Sequence, residues 1–74
     1  MNELVAFAVE HFEDRFGLSG LRGEVSFALP GEALVTLFVP GEPTAAMQEA
    51  AREMEREYDE LGRTVRMVLK SAGS

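Results

Sequence analysis

One short apolar run dominates the pattern of hydrophobic and polar positions along this chain. Residues 33–39 are apolar apart from Thr36, and a Pro-Gly-Glu triplet stands at each end, at 30–32 and 40–42. A run of this length between turn residues is typical of a strand buried on both faces. We therefore predict a strand at 33–39 in the middle of a sheet, with the other elements packed around it.

The first sixteen residues show the spacing of an amphipathic helix. Asn2 is a suitable N-cap, and the helix can run to Phe16 before Gly17 provides a left-handed stop. Apolar residues on one side form a stripe that should be buried. The stripe consists of Val5, Val9, Phe12 and Phe16, and it is widened by Leu4, Phe7 and Ala8.

A strand with alternating apolar and polar positions is predicted at 22–29. Its two faces carry Val25, Phe27 and Leu29 on the core side and Glu24, Ser26 and Ala28 on the other. Pro30 and Gly31 suit the centre of a type II turn, which splays a tight hairpin. We therefore expect an antiparallel hairpin closed by a loop of about three to five residues.

The second helix is predicted to start with Pro43 in its first turn and to end at Gly62. Its buried stripe comprises Met47, Ala50, Ala51, Met54, Tyr58 and Leu61. The outer face is charged and spaced for ion pairs within the helix, through Glu49, Arg52, Glu53, Arg56 and Glu60. A last strand follows at 63–69, where Val65, Met67 and Leu69 alternate with Arg66, Val68 and Lys70.

The resulting order, α-β-β-α-β, predicts an α+β fold. A right-handed crossover through the second helix would place the third strand parallel to the second. The expected architecture is a two-layer α/β sandwich, with a three-stranded mixed sheet and two helices on one face. We expect a single compact domain over residues 1–70 and a frayed tail at 71–74.

Length and composition indicate how stable this domain is and in which compartment we expect it. A chain of 74 residues has a free energy of unfolding of only about 4–11 kcal/mol. It has no cysteine, so self-association is one remaining source of stability. Glu3 and Glu10 interrupt the N-terminal apolar run, which is therefore unlike a signal peptide. We expect a cytoplasmic protein that does not enter the membrane.

The net charge of −6 argues against binding to a phosphate backbone as the main activity. The charge is unevenly distributed, because the predicted helices are acidic and the predicted strands are mildly basic. An acidic helical layer is expected to remain in solvent, which leaves the sheet as the candidate surface for contacts.

The outer face of the sheet is the predicted interaction surface. Its centre is apolar and its rim is basic, a composition that is common at association sites. The predicted surface comprises Leu34, Thr36, Phe38, Arg66, Val68 and Lys70, with Arg22 and Ala28 beside them. The hypothesis is a small bacterial-type module that binds a protein partner or forms a homo-oligomer. The alternative is that a helix or loop covers this face.

The sequence offers little for catalysis or metal binding. His11 shares a helical face with Asp14 alone among nearby acids, whereas a catalytic zinc site normally needs three protein ligands. The carboxylates of the second helix lie on a solvated face, and Ser19 and Ser26 lack the context of a nucleophile. We predict no enzyme activity, no metal and no cofactor.

The element order resembles that of a type II K-homology domain, of a ferredoxin-like fold without its first strand, and of the ring-building modules of secretion assemblies. A K-homology domain would imply binding of single-stranded nucleic acid through a Gly-x-x-Gly loop. At the equivalent position this chain is predicted to have one continuous helix. Single-strand binding is nevertheless the alternative function, with Phe38 stacking a base and a basic rim of Arg22, Arg63, Arg66 and Lys70.

Overall fold

The computed structural model describes residues 3–72, except for the side chains of Ala28 and Leu29. The elements are α1 (Glu3–Phe16), β1 (Arg22–Leu29), β2 (Glu32–Val39), α2 (Ala45–Glu60) and β3 (Thr64–Ser71). The predicted order α-β-β-α-β and the mixed α+β class are confirmed. The predicted cap Asn2 lies outside the described residues.

The three strands form one mixed sheet in the order β1-β2-β3. Strands β1 and β2 are antiparallel, whereas β2 and β3 are parallel. Val35, for example, pairs with Val25 on one side and with Met67 on the other. The predicted central position of the second strand is confirmed. Strand β3 runs to Ser71, two residues past the predicted end, and the amide of Ala72 donates a hydrogen bond of 2.8 Å to the carbonyl of Val39.

Both helices pack on the same face of the sheet. The buried residues of α1 are Val5, Ala8, Val9 and Phe12; those of α2 are Met47, Ala50, Ala51 and Met54; those of the sheet are Ala33, Val35, Leu37, Val39, Val65, Met67 and Leu69. Leu34, on the opposite face of β2, is 37% exposed. The prediction that this strand is buried on both faces is therefore wrong, because the described helices cover one side only.

Helix α1 ends as predicted, at a glycine in the left-handed region. Gly17 has a φ of 64°, which lets the amide of Leu18 donate to the carbonyl of Glu13 at 2.9 Å. Leu18 then packs back against the core. The carboxylate of Glu13 also accepts a hydrogen bond of 3.0 Å from the amide of Leu21. These contacts fix the path from the helix into β1.

Helix α2 begins at Ala45, two residues after Pro43, which was predicted to lie in its first turn. Thr44 is the N-cap, and its hydroxyl accepts a hydrogen bond of 3.2 Å from the amide of Met47. Pro43 lies just before this cap rather than inside the first turn, so that part of the prediction is wrong. The physical reason is that a threonine oxygen satisfies an amide that has no partner within the helix.

The hairpin between β1 and β2 is shorter than predicted. Only Pro30 and Gly31 separate the strands, so the expected loop of three to five residues is wrong. Ser26 pairs with Leu34 while Leu29 pairs with Glu32, which leaves one extra residue in β1. Such a bulge increases the local twist, and this allows a two-residue turn to close the hairpin. The predicted orientations of Ala28 and Leu29 lie outside the described side chains.

Three apolar side chains predicted to join the core are largely exposed instead. Leu61 is 75% exposed, Phe27 is 62% exposed and Phe7 is 51% exposed. Leu61 is the C-cap residue, so it follows the last turn of the buried stripe. Phe27 lies beside the bulge, at an end of the sheet where it lines a shallow pocket with Leu4.

The charged face of α2 forms an ion pair between helices. Arg15 of α1 contacts Glu53 of α2 at 2.8 Å between Nη1 and Oε2. The hydrogen bond and the charge of Arg15 hold the pKa of Glu53 below its ordinary value. Within residues 3–72, no pair inside α2 reaches ion-pair distance, so the predicted intrahelical pairs are wrong. Exposed side chains lose entropy when they pair, and such pairs are therefore weak.

Candidate interaction surface

The six residues of the predicted interaction surface form one continuous block on the sheet. Because β2 and β3 are parallel and in register, residues that are paired across them project from the same face. The pairs, taken along the strands, are Leu34 with Arg66, Thr36 with Val68, and Phe38 with Lys70. The face opposite the helices thus brings all six together. We call this block, together with the adjoining residues of β1, the sheet surface.

Strand β1 contributes a third row of residues to the sheet surface. The register places Ser26 beside Leu34, Glu24 beside Thr36, and Arg22 beside Phe38. Glu24 and Ser26 were predicted to lie on this face, but the predicted interaction surface did not include them. The sequence pattern could have identified both residues, because the alternation along 22–29 already separated them from the core side.

The centre of the sheet surface is apolar and accessible. Leu34 is 37% exposed and Val68 is 36% exposed, while Thr36 and Phe38 are half-buried. Both helices pack on the other face, and no element within residues 3–72 covers this one. The predicted alternative, in which a helix or loop covers this face, therefore does not hold for the described residues.

Phe38 is less accessible than its position suggests. The guanidinium carbon of Arg22 lies 4.8 Å from the centre of the Phe38 ring. This is a cation–π contact, in which the positive charge faces the electron-rich ring. Arg22 therefore already occupies one side of the ring on which a nucleic-acid base was predicted to stack.

The sheet surface has two ends of different charge. Arg22 and Lys70 flank Phe38 at one end. Glu32 lies at the other end of β2, where its carboxylate is 3.9 Å from Nε of Arg66. Glu32 and Arg66 offset each other, so the excess of positive charge lies at the end with Arg22 and Lys70, which matters for any partner that lies across the strands.

The helical layer holds the single histidine in an aromatic cluster. The ring of His11 stacks on Phe7 at 6.2 Å between centroids, and Phe7 meets Tyr58 edge-on at the same distance. His11 is half-buried. Among the described residues, no group of three or more potential metal ligands is close enough to hold an ion. Packing accounts for the position of this histidine.

Tyr58 gives a direct optical test of this packing. Burial raises the pKa of its hydroxyl above the ordinary value of 10.0, and the charge of Arg63 acts in the opposite direction. Tyr58 is the one tyrosine and there is no tryptophan, so phenolate absorbance reports this group alone. We expect its titration midpoint to lie higher in the folded protein than in urea. The stability that the packed Tyr58 hydroxyl contributes is present below pH 10 and is lost as the pH rises through the pKa of the folded state. Identical titration midpoints in the folded protein and in urea would contradict the packing.

Within residues 3–72, no helix is long and apolar enough to cross a bilayer. Comparisons with protein families, with curated proteins and with solved structures returned no match. The fold and the sheet surface are therefore the only basis for a functional conclusion.

Proposed function

We propose that this protein is a cytoplasmic interaction module that self-associates, with the sheet surface of one copy packed on the sheet surface of a second. The observation that carries the proposal is the exposure of Leu34 and Val68 at the centre of a face that no described element covers. Burial of such side chains is the main source of association energy. The absence of cysteine suits a reducing compartment.

Charge favours one orientation of the two copies. If the strands of the second copy run antiparallel to those of the first, Arg22 and Lys70 of one copy lie over the end where Glu32 and Arg66 offset each other in the other copy. If the strands run parallel about a two-fold axis, Arg22 lies over Lys70 and like charges meet. A symmetric dimer uses the same patch twice, so the antiparallel arrangement avoids the contact between Arg22 and Lys70 at both ends.

The size of the sheet surface sets the strength of the contact. Each strand has eight residues, so three strands present a face of about 26 Å by about 14 Å, roughly 400 Å² in projection. A stable interface of standard size buries about 800 Å² on each partner. We therefore expect a reversible dimer with a dissociation constant on the order of micromolar.

Replacing Val68 with glutamate is expected to weaken self-association at least about tenfold, which corresponds to about 1.4 kcal/mol. In the symmetric dimer, the glutamate of each copy would be buried against the apolar centre of the other copy's sheet surface. A buried unpaired charge is energetically costly. Sedimentation velocity over a dilution series measures the effect. Val68 is preferable to Phe38 for this test, because a change at Phe38 would also remove the contact with Arg22.

Leu61→Glu is the matched control, since it introduces the same charge at an exposed apolar residue outside the sheet surface. The control should dimerise like the unmodified protein. A monomer at all concentrations in the unmodified protein, or equal weakening by both substitutions, contradicts the proposal. Salt-sensitive binding of single-stranded RNA by a monomer, lost when Arg66 and Lys70 are replaced, would favour the K-homology-like alternative instead.

A further inference from the structure

A charged groove lies between α2 and the free edge of β3, and it shares Arg66 with the sheet surface. Its volume is about 590 Å³. Strand β3 is at the edge of the sheet, so one side of its backbone faces this groove instead of another strand. Four arginines line it: Arg52 and Arg56 from α2, Arg63 from the connection, and Arg66 from β3. Three carboxylates of α2 line it as well, those of Glu49, Glu55 and Asp59, so four positive charges stand against three negative ones.

One backbone amide on the free edge already has an acceptor from α2. The amide of Met67 donates a hydrogen bond of 2.8 Å to Oε2 of Glu55. The carboxylate oxygen of Glu55 therefore occupies the position that a backbone carbonyl of an added strand would occupy. In a parallel pairing, amides at alternate residues point to the same side, so Val65 and Leu69 present theirs toward this edge as well.

Three of the four arginines in the groove make no ion pair within residues 3–72. Arg66 has Glu32 at 3.9 Å, but no carboxylate comes within ion-pair distance of Arg52, Arg56 or Arg63. Glu55, the acid nearest the strand edge, is engaged by the Met67 amide. In a chain with a net charge of −6, a groove whose four arginines outnumber its three carboxylates is a local exception that favours an anionic ligand.

The spacing of the arginines matches the spacing of side chains on a strand. Arg52 and Arg56 are one helical turn apart, which is a rise of about 6 Å along α2. Alternate side chains on an extended peptide repeat at about 6.6 Å. In an extended chain beside β3, every second side chain would face α2. The distance between these side chains would be nearly the same as the distance between Arg52 and Arg56 along α2.

We propose that the groove binds an extended peptide, which adds to the sheet as a fourth strand beside β3 and carries carboxylates at alternate positions. The edge amides hold its backbone, and Arg52 and Arg56 bind its acidic side chains. Glu55 must release the Met67 amide when the peptide enters. A simple phosphate ion would need the arginines but not the strand edge, and this difference separates the two ligands in an experiment.

The test uses the full chain and a fluorescein-labelled peptide of sequence Thr-Val-Glu-Val-Glu-Val-Thr, followed by fluorescence anisotropy. The double substitution Arg52→Gln with Arg56→Gln is expected to weaken binding at least about tenfold, through loss of two charge-assisted contacts. The matched control is Arg22→Gln with Lys70→Gln, which removes the same charge from the sheet surface. The control should change the affinity by less than about twofold.

Glu55→Gln is expected to strengthen binding several-fold, because it removes a negative charge and weakens the acceptor that competes for the Met67 amide. Amide resonances of Val65, Met67 and Leu69 should shift when the acidic peptide is added to the unmodified protein. Weaker binding by the Glu55 variant would overturn the proposal, since it would make Glu55 part of the site.

Two further outcomes would overturn strand addition. A peptide with proline in place of its central valine lacks a backbone donor, so equal affinity for it would contradict backbone pairing. Tighter binding of inorganic phosphate or of oligothymidylate, with the same dependence on Arg52 and Arg56, would assign the groove to anions or nucleic acid. None of these results depends on Val68, so failure here and failure of self-association are distinguishable.

Discussion

Replacing Phe12 with alanine is expected to lower the free energy of unfolding by about 3–5 kcal/mol. Phe12 is fully buried, at 0% exposure, and it is among the largest buried side chains of the core. Its ring lies 5.4 Å from the ring of Phe16, so truncation leaves a cavity beside Phe16 in the buried core. A domain of this size has only about 4–11 kcal/mol of stability, so the substitution removes a large share of it.

Urea denaturation followed by circular dichroism measures this loss. Phe7→Ala is the matched control, because it removes the same ring from the same helix at a site that is 51% exposed. We expect the control to lose about 1 kcal/mol. If Phe12→Ala lost no more than Phe7→Ala, the assignment of Phe12 to the centre of the core would be wrong.

Replacing Gly23 with alanine is expected to destabilise the protein by about 1–3 kcal/mol. In an ordinary strand the same change is favourable, because glycine loses more entropy on folding. At this position an added Cβ would lie 2.8 Å from Cγ1 of Val5 and 3.0 Å from Cδ2 of Leu37. Valine is stiff about χ1, so the close approach of α1 to β1 depends on the missing side chain.

A double-mutant cycle isolates this contact. Val5→Ala removes the methyl group that the new Cβ would meet, so the double variant should be more stable than the sum of the two single effects, by about 0.5–3 kcal/mol. Urea titrations of the four proteins give the coupling. Strict additivity would show that α1 moves away freely and that Gly23 does not set the distance between helix and strand.

The two proposed contacts use separate parts of the sheet. Self-association uses the face opposite the helices, whereas peptide binding uses the edge of β3 and the adjoining groove of α2. Face-to-face packing of two sheets leaves their edges open. A dimer formed through Leu34 and Val68 could therefore hold two peptides, one at each β3 edge, and the binding stoichiometry would report this.

The local features of the fold were predictable because each has a short-range cause. The stripe that includes Val5, Val9 and Phe12 follows from helical spacing alone. Gly17 and Gly62 end the helices because a left-handed residue suits glycine. The errors came where another local interaction competed, as when the Thr44 cap excluded Pro43 from the helix and a bulge allowed the two-residue hairpin turn.

The candidate site was predictable only in part. Alternation along a strand assigned Leu34, Phe38 and Val68 to the same side without knowledge of their neighbours. Which residues are neighbours across the sheet depends on strand register. A register shift of one residue would have moved every side chain of a strand to the other face of the sheet. The exposures of Phe27 and Leu61 were missed because they depend on where the helices stop covering the sheet, which periodicity does not describe.

The sequence by itself determined the number, type and order of the elements and the side on which each apolar stripe lies, since these follow from backbone periodicity and turn residues. Only the tertiary structure decided which residues meet across elements. Arg22 over Phe38, Glu55 on the Met67 amide, and Arg15 with Glu53 each join residues from different elements. Such contacts depend on strand register and helix placement, which the packing of the whole core determines.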